Sequence, residues 1–148
     1  RNKARQIPGL FDVVESVDSL SLAKELARRV DAQSEKSLEV FIQVDTGNEP
    51  QKGGVPSDEV PALLEGIEGI SSPRVVGLMC IPPFGWTSEE TRPHFRQLRE
   101  LRDRVIDAGH KSVRGLSMGM SSDFEVAIEE GATSVRVGTA IFGGRIPP

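Results

Sequence analysis

Two segments near the C-terminus carry the residue types best suited to binding a ligand. The first runs from Leu116 to Glu125 and the second from Arg136 to Gly143. Each begins as an apolar strand and passes into small, hydroxyl-bearing residues where the chain turns. In parallel α/β proteins ligands bind at this end of the strands, where backbone N–H groups and Ser or Thr hydroxyls suit a phosphate group. The pattern therefore predicts a protein that binds a phosphorylated small molecule.

Apolar strands alternate with amphipathic helices along the chain and would position these two segments. Apolar runs predict five strands, at residues 11–17, 38–44, 75–81, 116–120 and 134–141. The alternation indicates βαβ units around a parallel sheet. Their spacing suits either a doubly wound sheet or part of a (β/α)8 barrel, and periodicity alone does not choose between the two.

Four helices are predicted between the strands from apolar residues at helical spacing. They begin after the capping pair Asp18-Ser19, at Ser57, at Thr87 or Ser88, and at Ser122, where Ser122 and Glu125 are predicted to form a capping box. The third of these helices is rich in Arg and Glu and is predicted to present a solvated face with i,i+4 pairs. His94 and His110 are predicted to be exposed helix residues, since their spacing matches no metal site.

Composition limits the classes of protein to which the chain can belong. An apolar fraction of 37% and a charged fraction of 27% over 148 residues are typical of one soluble globular domain, here residues 1–148. The net charge of −4 argues against nucleic acid or an anionic membrane as a constitutive partner. A single cysteine, Cys80, fits a reducing compartment, and a cytoplasmic location is expected.

Six blocks of sequence, in order, resemble the pyridoxal phosphate homeostasis protein family, relatives of the alanine racemase N-terminal barrel. The resemblance covers essentially the whole chain. Its most specific parts are the Ser-Met-Gly-Met-Ser and Arg-Val-Gly-Thr blocks. The six blocks are Asn2-Lys3, Glu15–Ser19, Phe41–Val55, Gly77–Pro83, Leu116–Ser121 and Val135–Gly143.

The resemblance implies a (β/α)8 barrel that holds pyridoxal 5′-phosphate (PLP) at the C-terminal mouth of its strands. Matched residue by residue, it assigns the phosphate to Ser117, Gly138 and Thr139, the pyridine nitrogen to Arg136, and the pocket around the ring to Met79 and Asn2. An arginine at the ring nitrogen discourages its protonation and makes the ring a poorer electron sink. The implied function is non-catalytic: a carrier in intracellular PLP homeostasis that makes transient contact with PLP-dependent apoenzymes.

One large departure from the family pattern and two smaller ones affect this expectation. The family's Schiff-base lysine lies on a strand upstream of the first block, so the chain is expected to correspond to the last five of eight strands, a barrel incomplete at its N-terminus. Such an arc would expose two strand edges, and low stability of the 148 residues alone is expected. The smaller departures are Glu15, where many members have His, and Asp45, where Asn is usual.

Three other interpretations stay open at this stage. A PLP-dependent amino-acid racemase resembles the same barrel, but uses a tyrosine as second acid/base, and this sequence contains no tyrosine. A barrel enzyme acting on another phosphorylated small molecule would need a base at a strand end, for which Glu15 and Asp45 are the candidates. A non-functional fragment of a family member is the third.

Overall fold

The computed structural model describes residue 7 and residues 10–31, 38–48, 53–83 and 85–144. Strands and helices alternate through these segments, as the sequence predicts. The strands are β1 (Val13–Val17), β2 (Glu39–Asp45), β3 (Val55–Pro56), β4 (Arg74–Cys80), β5 (Gly115–Met120) and β6 (Ser134–Arg136). The helices are α1 (Leu20–Asp31), α2 (Val60–Glu68), α3 (Ser88–Asp107), α4 (Phe124–Glu129) and α5 (Thr139–Phe142).

The strands form one parallel sheet in the order β1-β2-β4-β5-β6, and the two-residue β3 pairs with β2 outside this path. Parallel neighbours must be joined by crossovers, and helices supply them here. All strands therefore end at the same edge of the sheet, where the loops that follow them meet.

The hydrophobic core lies between the helices and one face of this sheet. Alternate strand residues such as Leu78, Leu116 and Met118 are fully buried in it, together with Leu26 of α1 and Phe95 of α3. Period-two alternation sends the intervening strand residues to the opposite, inner face. Substitution of a large core side chain such as Phe95 by Ala typically costs about 3–5 kcal/mol.

The ends of three helices follow local rules that the sequence shows in part. Ser19 caps α1 as predicted, accepting a hydrogen bond from the Leu22 N–H at 3.3 Å. The predicted capping box at Ser122 is wrong, because Asp123 is the N-cap of α4 and makes no side-chain cap bond. A capping box exists instead at α3, where Thr87 and Glu90 exchange hydrogen bonds.

The second helix begins later than predicted, and the last strand ends earlier. Residues 57–59 form a turn, so α2 begins at Val60 with Pro61 in its first turn, where a missing N–H costs nothing. The predicted strand 134–141 ends at Arg136. Beyond it, the Gly138 N–H donates to the Ser121 hydroxyl instead of a neighbouring strand, and the chain turns into α5.

Both histidines are less exposed than the sequence predicts. His94 is buried on α3, and its Nδ1–H donates to the Thr46 carbonyl oxygen at 2.9 Å while its ring packs against Trp86. His110 is half-buried, and its Nδ1 lies 2.6 Å from Glu68 Oε1. Each ring finds a partner on a segment distant in sequence, which helical spacing cannot reveal.

The prediction of a solvated face on α3 is wrong where the helix meets α4. Arg92, Arg96 and Arg99 all form ion pairs with Glu130, whose side chain is only 5% exposed. The Arg96 hydrogen bond is the main reason that the pKa of Glu130 is lowered, in opposition to its burial. These pairs tie the two helices together next to β5.

Candidate functional site

The inner face of the sheet contains a packed layer midway along the strands. The Phe41 ring lies against Gly77 and Gly115, where a Cβ atom would collide with it. In the next layer towards the strand ends, Gln43, Met79 and Ser117 stand in register on neighbouring strands. Met79 and Ser117 are buried although neither belongs to the helix-facing core. A buried serine on this inner face is available to a polar site.

Two charged side chains, Arg136 and Glu15, meet at the buried hydroxyl of Ser117. Arg136 Nη1 donates to Ser117 Oγ at 2.6 Å, and Ser117 Oγ donates to Glu15 Oε2 at 2.8 Å. The other terminal nitrogen of Arg136, Nη2, donates to the Cys80 carbonyl oxygen at 2.9 Å. The Arg136 guanidinium is therefore fixed at the carboxyl ends of β4 and β5, with two of its donors occupied.

The hydrogen bond between Ser117 of β5 and Glu15 of β1 requires a strongly curled sheet. Strand β1 is three neighbours away from β5, which is about 14 Å in a flat sheet. The side chains of Glu15 and Ser117 are too short to span that distance, yet their oxygens lie 2.8 Å apart. Glu15 also lies 3.9 Å from Arg136 of β6, the strand at the other end of the order. The inner face is therefore concave, as in part of a barrel.

A β-bulge in β1 turns Glu15 towards this inner face. Val14 pairs with Val40 and Val17 with Ile42, so that β1 has one more residue than β2 between these points. Val14 and Val17 both pack against the helix-facing core. Strict alternation back from Val17 would place Glu15 on the helix-facing side of the sheet, and the extra residue removes this constraint. Redirecting a side chain in this way is a common role of bulges.

Two backbone N–H groups converge on one oxygen at the start of α5. The Gly138 N–H donates to Ser121 Oγ at 3.1 Å, and the Ala140 N–H donates to the same atom at 3.2 Å. The turn that carries Ser121 is held by Asp123, which is buried and accepts the Met120 N–H at 2.6 Å. The N–H groups of Gly138 and Ala140 are thus arranged to hold an oxygen atom, and Gly138 lies two residues after Arg136.

A bulge at the end of β5 gives this turn its direction. Ser117 pairs with Ser134 and Met120 with Arg136, which leaves an extra residue in β5. Gly119 lies there with a φ of +95°, in the left-handed region that favours glycine, and a Cβ at this position would lie 2.6 Å from the Ala127 Cβ. Residue 119 must therefore be small and left-handed for Ser121 to reach α5.

The structure brings together most of the residues that the sequence predicts for the site. Ser117 and Arg136 are in direct contact, and Met79 is in register with Ser117 on the next strand. Gly138 and Thr139 begin α5 just after β6, but the hydroxyl of Ser117 is directed to Arg136 and Glu15. Asn2 lies outside the described residues.

Sequence reasoning did not assign site roles to Ser121 or the Cys80 carbonyl, and it considered Glu15 only as a departure from the family pattern and as a candidate base. Ser121 was detectable, since it is a hydroxyl residue in the same motif as Ser117. The roles of Glu15 and the Cys80 carbonyl depend on sheet curvature, which no local pattern reports. Cys80 itself is buried, which raises the pKa of its thiol to about 12, although the nearby Arg136 favours the thiolate. Its thiol is therefore protonated at neutral pH and contributes structure here.

The described residues contain no lysine at this site. Lys24 is exposed on α1, and Lys111 donates to the Ile106 carbonyl oxygen after α3. Among the same residues, no group of three His, Cys, Asp or Glu side chains could hold a metal ion. None of the helices described is long and apolar enough to cross a membrane.

A separate cavity of about 210 Å³ lies at the opposite end of the sheet. It is bounded by the end of α2 and by the segments that lead into β4 and β5, including Ile67, Pro73 and Val113. The strands begin at this end, so the cavity and the Arg136 site do not share residues.

Comparison with known proteins gives concordant results. The family of the alanine racemase N-terminal domain matches residues 2–146. A pyridoxal phosphate homeostasis protein of Aquifex aeolicus (strain VF5) is 43% identical over 97% of this chain and 63% of its own length. Its counterpart in Homo sapiens is 38% identical over 97% of this chain and 54% of its own length. The chain thus spans 54–63% of the length of these two relatives.

Similar folds occur among solved structures. The structure of PipY from Synechococcus elongatus PCC7942 with PLP bound has a TM-score of 0.85 and 36% identity, over 96% of this chain and 66% of that one. The predicted fold class, a barrel of the alanine racemase N-terminal type, is confirmed by this likeness and by the family match.

Proposed function

Because the chain belongs to the family of the alanine racemase N-terminal domain, we propose that it binds PLP at the carboxyl ends of β4, β5 and β6. We propose further that it acts in PLP homeostasis as a carrier, without turning over a substrate of its own. The observation that carries the proposal is the convergence of the Gly138 and Ala140 N–H groups on a single oxygen, two residues beyond Arg136.

The donor set fits the phosphate group of PLP. Backbone N–H groups at the start of a helical turn suit an anion, and here two of them already hold the oxygen of Ser121. Thr139, between them, adds an exposed hydroxyl and a third N–H. In the proposal the N–H groups of Gly138, Thr139 and Ala140 donate hydrogen bonds to the phosphate oxygens. The Ser121 hydroxyl then either shares these donors with the phosphate or is displaced by it.

The surroundings of Arg136 fit the ring of PLP. Two of its donors are bound to protein oxygens, which leaves N–H groups for an acceptor such as the ring nitrogen. Met79 supplies an apolar surface in the same layer, and Asn2 is assigned to the pocket by the family resemblance. Ser117 belongs to the site through Arg136, which it contacts.

Arg136 also supports the non-catalytic part of the proposal. PLP supplies an electrophilic aldehyde and an electron-withdrawing ring. A fixed guanidinium disfavours protonation of the ring nitrogen beside it, and this weakens the electron withdrawal on which catalysis of carbanion chemistry depends. A carrier must also release its cargo, so transient contact with PLP-dependent apoenzymes is part of this proposal.

No observation favours an enzyme of phosphorylated substrates over this proposal. Glu15, one of the two candidate bases, is engaged by Ser117 and lies 3.9 Å from Arg136. The other candidate, Asp45, accepts a hydrogen bond from the Gly47 N–H at 3.0 Å. The relatives named pyridoxal phosphate homeostasis protein, and PipY with its bound PLP, support the PLP carrier instead.

Ligand titration tests the proposal. Trp86 is the only tryptophan and there is no tyrosine, so emission of the chain reports the loop between β4 and α3, at the ligand end of the sheet. We expect saturable binding of PLP and of pyridoxine 5′-phosphate, which has no aldehyde and cannot label lysines. Pyridoxal, without the phosphate, should bind at least tenfold more weakly. Equal affinity for pyridoxal and PLP, or no saturation with either phosphate ester, contradicts the proposal.

A further inference from the structure

We propose that Glu15 and Ser117 are positioning residues: they hold the Arg136 guanidinium in place and do not contact the ligand themselves. This inference rests on the proposed function, because Arg136 is the group that meets the ligand. It assigns a role to Glu15 and replaces the role of phosphate ligand that the family resemblance implied for Ser117.

The directions of the hydrogen bonds follow from the chemistry of the three side chains. A guanidinium only donates and an ionised carboxylate only accepts. Ser117 must therefore accept from Arg136 at 2.6 Å and donate its single hydroxyl proton to Glu15 at 2.8 Å. This leaves Ser117 without a proton for a phosphate oxygen. Its side chain is also fully buried, with no exposed surface for a ligand to reach.

The position and length of the Arg136 side chain explain why it needs this support. It lies on β6, a three-residue strand whose one described neighbour is β5. An arginine side chain has high rotamer entropy, and fixing it in advance lowers the cost of binding a ligand. Ser117 holds Nη1 and the Cys80 carbonyl holds Nη2, while Glu15 adds an opposite charge at 3.9 Å. Three strands thus orient one guanidinium.

Ser117→Ala is the sharpest test, because it breaks the chain of bonds without changing charge. We expect it to weaken binding of pyridoxine 5′-phosphate about tenfold, as for loss of a hydrogen bond that fixes a charged group. Ser134→Ala is the matched control: Ser134 is in register with Ser117 on β6, half-buried, and outside the chain of bonds. This control should bind as the unsubstituted chain does.

A double-mutant cycle separates a positioning role from direct contact. If Ser117 acts through Arg136, Ser117→Ala has no further effect in an Arg136→Gln background. If Ser117 contacts the phosphate, the loss persists in that background, and the inference is overturned. Thermal unfolding of each variant identifies any that lose binding because they fail to fold.

A second measurement needs no ligand and so separates this inference from the proposed function. In the free chain, ¹⁵N NMR of arginine side chains should show slowly exchanging Nη protons for Arg136. Glu15→Leu and Ser117→Ala should abolish these signals, while Ser134→Ala should keep them. Absence of the signals in the unsubstituted chain, or their survival in Glu15→Leu, overturns the inference even if PLP binds. If PLP does not bind but the signals behave as expected, the proposed function alone fails.

Discussion

Thr139 offers the site a hydroxyl and a backbone N–H at the start of α5, between two residues whose N–H groups already meet on Ser121. The hydroxyl is exposed, so it is free to turn towards a ligand. At the scale of single residues, a substitution at Thr139 tests where the phosphate binds, because the hydroxyl can be removed without disturbing the core.

Replacement of Thr139 by Val should weaken binding of PLP by roughly 1.5–3 kcal/mol, the range for a hydrogen bond to a charged group. Valine preserves the shape and branching of the side chain and removes only the hydroxyl. Thr139→Ser keeps the hydroxyl and is the matched control, for which we expect nearly unchanged affinity. An unchanged dissociation constant in Thr139→Val would show that the phosphate binds elsewhere.

Short motifs at strand ends, together with the family resemblance, select Arg136, Gly138 and Thr139 as candidates, and their roles stay predictions until ligand binding is measured. The motifs were not sufficient for Glu15. Simple alternation along β1 places Glu15 on the same face as Val17, and only the bulge between Val14 and Val17 reverses this. A bulge is set by pairing with β2, so its effect could not be read from β1 alone.

Among the structural elements, β4 depends on a close approach to its neighbours at Gly77. Gly77 lies where the Phe41 ring crosses the inner face, and a Cβ at this position would lie 2.5 Å from the Gly115 carbonyl oxygen. That oxygen belongs to the backbone of β5, which cannot move without disturbing the pairing of the two strands. The layer beneath the site therefore requires glycine at position 77.

Gly77→Ala should lower the free energy of unfolding by about 1–3 kcal/mol, as for overpacking of a well-packed interior. Gly69→Ala is the control: residue 69 has a φ of −75°, and a Cβ there would contact nothing within 4 Å. We expect the control to be neutral or slightly stabilising. Chemical denaturation measures both variants, and equal stability of the two would refute the packing argument.

The contact between α3 and α4 depends on one acidic residue. Glu130 forms ion pairs with three arginines of α3, and its pKa is lowered mainly by the Arg96 hydrogen bond, in opposition to its burial. A carboxyl group with a lowered pKa in the folded state stabilises the fold above its unfolded pKa, near 4.3. That contribution is lost as the pH falls through the lower, folded value.

Glu130→Gln should therefore flatten the fall in stability between neutral pH and the acidic range. The unsubstituted chain should lose stability below about pH 4.5 more steeply than the variant does. Glu125→Gln, an exposed change on the same helix, should leave the acid dependence as it was. Urea melts at a series of pH values measure this, and identical slopes for the unsubstituted chain and Glu130→Gln would rule out the contribution.

Element types were more predictable than element ends. Strong apolar runs and helical stripes located β1, β2, β4, β5 and the first four helices. The two-residue β3 and the early end of β6 were missed. Strand β3 exists only through its pairing with β2, and β6 ends where the Gly138 N–H bonds to Ser121. Both outcomes depend on partners distant in sequence.

Curvature is the property of the whole molecule that creates the site. It brings Glu15 of β1 across the concave face to Ser117 of β5 and to Arg136 of β6. Large apolar side chains remain exposed near both end strands of the sheet: Phe11 just before β1, and Ile141 and Phe142 in α5, which follows β6. The low stability expected of the 148 residues alone stays a prediction, and a cooperative urea transition with a normal m-value would contradict it.

Amide chemical shifts during titration with PLP test the central claim most directly, because they locate the ligand on the whole chain at once. We predict that the largest changes in a ¹H–¹⁵N spectrum occur at Gly138, Thr139 and Ala140, with the Arg136 side chain also affected. Changes confined to the cavity at the other end of the sheet, around Ile67 and Val113, or no changes at saturating PLP, would contradict the account.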